Sequence, residues 1–154
     1  DLGREVDGTF DVVLACDNSI AHLLTDGDLT LAAASMREKL APGGLLILSI
    51  RDYDVLVQEQ PRVQPPNILD TAEGRRVSFQ LWDWAQDGRS YVLSHFILKQ
   101  SGERWTTQVS TTQLRALQRA DVTAVLERTG FEDIRWHMPD ETDYHQPIVT
   151  ARRR

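Results

Sequence analysis

Two short runs, "FDVVLAC" from Phe10 to Cys16 and "LLILSI" from Leu45 to Ile50, constrain this chain more than anything else in it. Both are aliphatic, rich in β-branched residues and free of alternation, the pattern of strands covered on both faces of a parallel sheet. Parallel neighbours need a crossover, and the segment between the runs supplies one. Leu29, Ala32, Ala33, Met36 and Leu40 recur there at helical spacing, Asp28 is placed to cap the start, and Pro42-Gly43-Gly44 is placed to stop the helix. The opening is therefore a β-α-β unit.

A connection bearing Pro61, Pro65 and Pro66 follows and is expected to be irregular and exposed. From Val77 the period changes to two. "VSFQLWDW", "YVLSHFILKQ" and "RWTTQVSTT" predict a three-stranded antiparallel meander over 77–112, with turns at "AQDGRS" and "SGE". A helix then carries the stripe Val122, Val125 and Leu126 and stops at Gly130, and "FEDIRWHM" and "PIVTAR" predict two closing strands. A doubly wound α/β fold places a Gly-rich cofactor turn after its first strand. No such turn stands in these residues, so the pattern fits the C-terminal half of a doubly wound, Rossmann-like sheet with an antiparallel insert.

Composition narrows the classes further. With 154 residues, 41% of them hydrophobic, the expectation is one domain, 1–154, with a real core. A net charge of −6 repels nucleic acid and anionic lipid alike, and no apolar run reaches the roughly 18–20 residues that cross a bilayer. The single cysteine cannot form an internal disulfide, which fits a cytoplasmic location. No metal is assigned, and Arg152–Arg154 read as a solvated end.

In open parallel sheets, ligands sit outside the carboxyl ends of the strands. Asp17, Asn18 and Ser19 stand at that end of the first strand, and Arg51, Asp52 and Tyr53 at that end of the second. Amide, hydroxyl and guanidinium groups at one edge point to a site, Arg51 being shaped for a carboxylate. The plainer reading of Asp17-Asn18-Ser19 is a turn and a cap. Cys16 reads as a small buried hydrophobe. Trp82, Trp84 and Phe96 read first as the packed face of a sheet and second as an apolar lid. Tyr144, His145 and Gln146 fall in the last turn and receive no catalytic role.

These residues resemble a known family. "FDVVLACDNSIAHL", "LAPGGLLILSIRDYD" and "FEDIRW…QPIVTAR" are similar to the C-terminal half of class I S-adenosylmethionine-dependent methyltransferases, the glycine/sarcosine N-methyltransferase group above all. The resemblance implies S-adenosylmethionine as cofactor, with Ala15, Cys16, Asp17 and Ser19 beside it. It implies Asn18, Arg51 and Tyr53 on the substrate, and the 77–112 sheet as its cover. Asn18, His22 and Asp17 are the implied catalytic set, Asp17 or His22 assisting loss of the amine's proton. Cys16-Asp17 departs from the Leu-Gly of the glycine enzymes and places an additional carboxylate near the reacting centre. The implied substrate is a small amine or amino acid bearing a carboxylate. The resemblance also implies that the cofactor-binding half precedes this stretch, leaving the 10–17 strand with an open edge through which copies could pair. A non-catalytic binding module on the same fold, or half of a nucleotide-binding oxidoreductase, are the other readings.

Overall fold

The computed structural model describes residues 6–154; residues 1–5, the start of the expected 1–154 domain, lie outside it. The chain divides into two compact units. The first holds the described residues up to Leu56 together with Leu117–Arg154, and the second is Val57–Ala116.

The first unit is built on a four-stranded sheet. Its strands are β1 (Phe10–Ala15), β2 (Leu40–Ser49), β7 (Phe131–His137) and β8 (Ile148–Arg153), in the order β1-β2-β8-β7. β1 runs parallel to β2, with Val12 opposite Leu45 and Ala15 opposite Leu48. β8 is antiparallel to both its neighbours. The crossover from β1 to β2 is helix α1 (Asp26–Lys39). Its Leu29, Ala33 and Met36 converge with Leu48 and with Val122, Val125 and Leu126 of α3 (Arg119–Arg128) on one apolar core. The inner strands are sealed there, with Leu46, Leu48 and Ile50 at 2% exposure or less.

Local chemistry sets the boundaries of these elements. Thr25, in extended backbone, is the N-cap of α1: its hydroxyl accepts the Asp28 N–H at 3.1 Å and donates to the Asp28 carboxylate at 2.6 Å. Asp28 is thus the third residue of the helix and not its cap. The helix ends at Lys39, ahead of Pro42-Gly43-Gly44, so that triplet is not its stop. The triplet forms an irregular entry to β2, where the ladder jumps from Phe10–Leu40 to Val12–Leu45. A Cβ on Gly44 would lie 2.8 Å from the Ala41 carbonyl oxygen, so only glycine fits. Gly130, at φ +85°, does end α3.

β1 departs from the expectation of cover on both faces. Phe10, Val12 and Leu14 are 43%, 46% and 62% exposed, because among the described residues β1 is the edge of its sheet.

The second unit is an antiparallel meander of β3 (Val63–Thr71), β4 (Gly74–Trp84), β5 (Ser90–Ser101) and β6 (Arg104–Arg115). The three expected strands are present and a fourth joins them, running through the connection expected to be irregular. Proline lacks the N–H a central strand needs, and here Pro65 and Pro66 fall on an edge strand at a register shift between Gln64 and Asn67. Trp84 lies opposite Tyr91 with ring centroids 4.8 Å apart, and Phe79 lies opposite Phe96 at 4.9 Å. The two pairs differ by an odd number of positions and so occupy opposite faces. Phe96 therefore cannot share one apolar lid with Trp82 and Trp84. Trp82 and Tyr91 are buried, at 2% and 1% exposure.

Candidate functional site

The site lies in the first unit, where β1 and β2 end. Beyond Ala15 the chain turns back on itself through two residues in left-handed backbone, Asp17 at φ 54° and Asn18 at φ 64°. Aspartate and asparagine tolerate that region better than other side-chain-bearing residues. The reversal carries the backbone onto β2. Asp17 N–H donates to Ser49 Oγ at 2.8 Å, and Asn18 N–H donates to the Ser49 carbonyl at 3.0 Å.

Asn18 is buried, and both ends of its amide are bonded to residues that follow β2. Its Nδ2 donates to Tyr53 Oη at 2.9 Å, and its Oδ1 accepts the Arg51 N–H at 3.3 Å. One side chain thus fixes the strand-end loops to each other. Tyr53, 1% exposed, opens helix α2 (Tyr53–Glu59). Arg51 is half-buried beside it, and Ser19–His22 form a single 3-10 turn that buries Ile20 and leaves His22 exposed.

A third segment reaches the same place. After the short helix α4 (Pro139–Thr142), Tyr144 Oη donates to Asp17 Oδ1 at 2.6 Å, and His145 Nε2 stands 3.9 Å from the same oxygen. The hydrogen bond to Asp17 is the main reason the Tyr144 phenol is pushed above its ordinary value. Pro147 accepts the Ile50 N–H at 3.2 Å. Between them Gln146 is 8% exposed, and its buried Oε1 accepts no hydrogen bond among the described residues. Such an orphan acceptor costs about 1–3 kcal/mol.

Asp52 does not face this cluster as a free carboxylate. It pairs with Arg119 at 2.9 Å, and Asp54 pairs with the same guanidinium at 3.1 Å, tying the start of α2 to α3. On another side of the β1 end, Ala15, Ser19, Leu23, Leu31, Ala32 and Met36 border an open cleft of about 440 Å³.

No family model matches the sequence. Over 116 residues, 67% of this chain, it is 27% identical to the glycine/sarcosine N-methyltransferase of Halorhodospira halochloris, the match spanning 41% of that protein. Over 57 residues, 37% of this chain, it is 39% identical to the glycine/sarcosine N-methyltransferase of Parasynechococcus marenigrum (strain WH8102), the match spanning 20% of it. The chain thus spans well under two thirds of the curated relatives it matches. Among solved structures, CalS10, an amino pentose methyltransferase from Micromonospora echinaspora with bound S-adenosylmethionine, superposes with a TM-score of 0.75 at 19% identity. That alignment covers all of this chain and 63% of CalS10. The chain has the class I methyltransferase fold.

Within the methyltransferase fold, the sequence-predicted residues separate by position. Asp17, Asn18, Arg51 and Tyr53 are brought together. Ala15 and Ser19 border the cleft, and His22 stands exposed at the end of the 3-10 turn. Cys16 is exposed and not a buried hydrophobe, since it follows the uncovered strand β1. Tyr144, His145 and Gln146, given no role from sequence, belong to the cluster. The signal that could have found them is the antiparallel register of β8 on β2, which sets Ser49 opposite Ile148 and so carries the residues before Ile148 alongside those after Ser49.

Proposed function

We propose that this chain is the substrate-side part of an S-adenosylmethionine-dependent methyltransferase acting on the amine of a small molecule that also bears a carboxylate. The cofactor-binding half lies outside these 154 residues. The observation that carries the reading is the knot of Asp17, Asn18, Tyr53 and Tyr144 beside Arg51, at the strand ends of a methyltransferase fold. Similarity to the glycine/sarcosine N-methyltransferases supports an amine acceptor.

The residues present fit the cofactor. The cleft bordered by Ala15 and Ser19 has the volume of a small-molecule site, and Cys16 and Asp17 stand between those two residues in the chain without lining it. When bound, S-adenosylmethionine supplies an already activated sulfonium methyl group. The protein then has to orient a lone pair and exclude competing geometries. Arg51 takes the carboxylate, and Tyr53, held by the Asn18 amide, flanks it. Asp17 attracts the ammonium form, and Asp17 or the exposed His22 takes the proton the amine must lose. Asn18 positions the site more than it contacts substrate, since both ends of its amide are already bonded within the protein.

A second reading is a binding module that keeps the fold without transfer, since fold alone does not fix function. Calorimetric titration of S-adenosylmethionine and S-adenosylhomocysteine separates the two when run on the 154-residue chain and on the full-length protein. Micromolar binding by the full-length protein and weaker binding by the chain is the expected result. No binding by either leaves the binding-module reading in place.

The open edge of β1 and the exposed Phe10, Val12 and Leu14 support self-association of the isolated chain through that strand. A strictly monomeric species by light scattering removes that idea. The lone exposed Cys16 suits a reducing, cytoplasmic setting. No helix among the described residues is long and apolar enough to cross a membrane.

A further inference from the structure

We infer that Gln146 is a substrate-positioning residue whose side-chain carbonyl accepts a hydrogen bond from an N–H of the amine to be methylated. The inference rests on the reading above and adds to it a residue to which neither the sequence pattern nor the resemblance gave a role.

Three observations converge on Gln146. The first is its place. Tyr144 is bonded to Asp17 at the end of β1, Pro147 is bonded to Ile50 at the end of β2, and Gln146 stands between them. Continuing the β8 ladder past Ser49–Ile148 and Ile50–Pro147 sets Gln146 alongside Arg51. The second is its burial: at 8% exposure it is one of three buried polar residues among those described, with Asn18 and Ser49, and all three stand at this strand-end junction. The third is satisfaction. Asn18 donates and accepts within the junction and Ser49 Oγ accepts, whereas Gln146 Oε1 has no donor among the described residues. Buried acceptors are normally paired, so the orphan at this strand-end junction calls for a donor that the described residues do not supply.

The chemistry asks for such an acceptor. A neutral amine attacks through its lone pair, so its N–H bonds must be held by acceptors that leave the lone pair free to point at the methyl group. Asp17 is a charged acceptor already engaged by Tyr144 and favours the protonated amine. A neutral amide oxygen accepts an N–H and favours the ammonium form far less than a carboxylate does. Gln146 therefore complements Asp17: one draws the cation in, the other orients the neutral nucleophile.

The test is steady-state methyl transfer by the full-length protein, comparing wild type with Gln146→Met and Gln146→Glu. Met keeps the volume and removes the acceptor, while Glu keeps an acceptor at the same place. The expected result for Gln146→Met is a KM for the amine raised at least tenfold, a KM for S-adenosylmethionine within twofold, and a melting temperature equal to or above wild type. Gln146→Glu is expected to retain more of the amine affinity than Met. An unchanged amine KM in Gln146→Met with intact melting overturns the inference, as does an equal loss for amine and cofactor. A wild-type protein that methylates no amine overturns the proposed function itself and this inference with it, a result distinct from a silent substitution at Gln146.

Discussion

The mixed sheet and the antiparallel sheet place their distinctive side chains differently. In the antiparallel sheet the aromatics stand within the paired ladder, directly across from one another, Phe79 against Phe96 and Trp84 against Tyr91. In the mixed sheet the distinctive residues stand just beyond the strands, where the backbone has left the ladder and its polar groups need new partners. Asn18, with its amide bonded to Tyr53 Oη and to the Arg51 N–H, is the clearest case. Aromatics paired within the ladder stabilise a scaffold, and the loops beyond the ladder gather chemistry.

The largest effect that sharpens this contrast is expected in the scaffold. Trp82→Ala removes a side chain 2% exposed and stacked on Tyr91 at 4.7 Å, and a loss of about 3–5 kcal/mol in urea unfolding is expected. A loss below about 1 kcal/mol would mean that the aromatic face is not a core at all.

Next comes the knot. Asn18→Ala removes both amide hydrogen bonds and leaves alanine at φ 64°, for an expected loss of about 2–4 kcal/mol. Asn18→Gly separates the two causes, because glycine relieves the backbone alone. If Gly is as costly as Ala, the amide is what matters; if Gly is harmless, Asn18 is a turn residue and no more. Tyr53→Phe removes the hydroxyl that accepts from the Asn18 amide and should cost about 1 kcal/mol, with the ring still packed.

The smallest effect is electrostatic. The Tyr144 phenol, held by Asp17, is expected to ionise above its ordinary value of 10.0 in an ultraviolet difference titration. A phenol whose value is raised in the folded state adds stability that is fully present below the unfolded value and is lost as pH rises through the folded one. That contribution therefore acts through neutral pH and disappears only in strong alkali. Asp17→Asn should bring the titration back toward the ordinary value; an unmoved titration would show that Asp17 is not the cause.

How much of this was legible in the sequence depended on how local the cause was. The β-α-β unit and the two site-bearing strand ends follow from aliphatic runs, helical spacing and the polar residues after each run. The strand β3 was hidden because Pro65 and Pro66 read as breakers, and only their place on an edge makes them compatible with pairing. The cap at Thr25 was hidden because Asp28, three residues on, has the same capping chemistry. Tyr144 and Gln146 were hidden for a longer-range reason. They reach Asp17 and the end of β2 across 127 and about 95 residues of chain, through an antiparallel register that no local pattern encodes.

The most direct test of the central claim is labelled methyl transfer from S-adenosylmethionine by the full-length protein to matched amines with and without a carboxylate, in wild type and in Arg51→Met. Transfer to the carboxylate-bearing amines is expected, with a KM for them raised at least tenfold in Arg51→Met, about 1.4 kcal/mol of lost binding, and little change for amines lacking the carboxylate. Transfer to no amine, or equal use of both kinds with no effect of Arg51→Met, would contradict it.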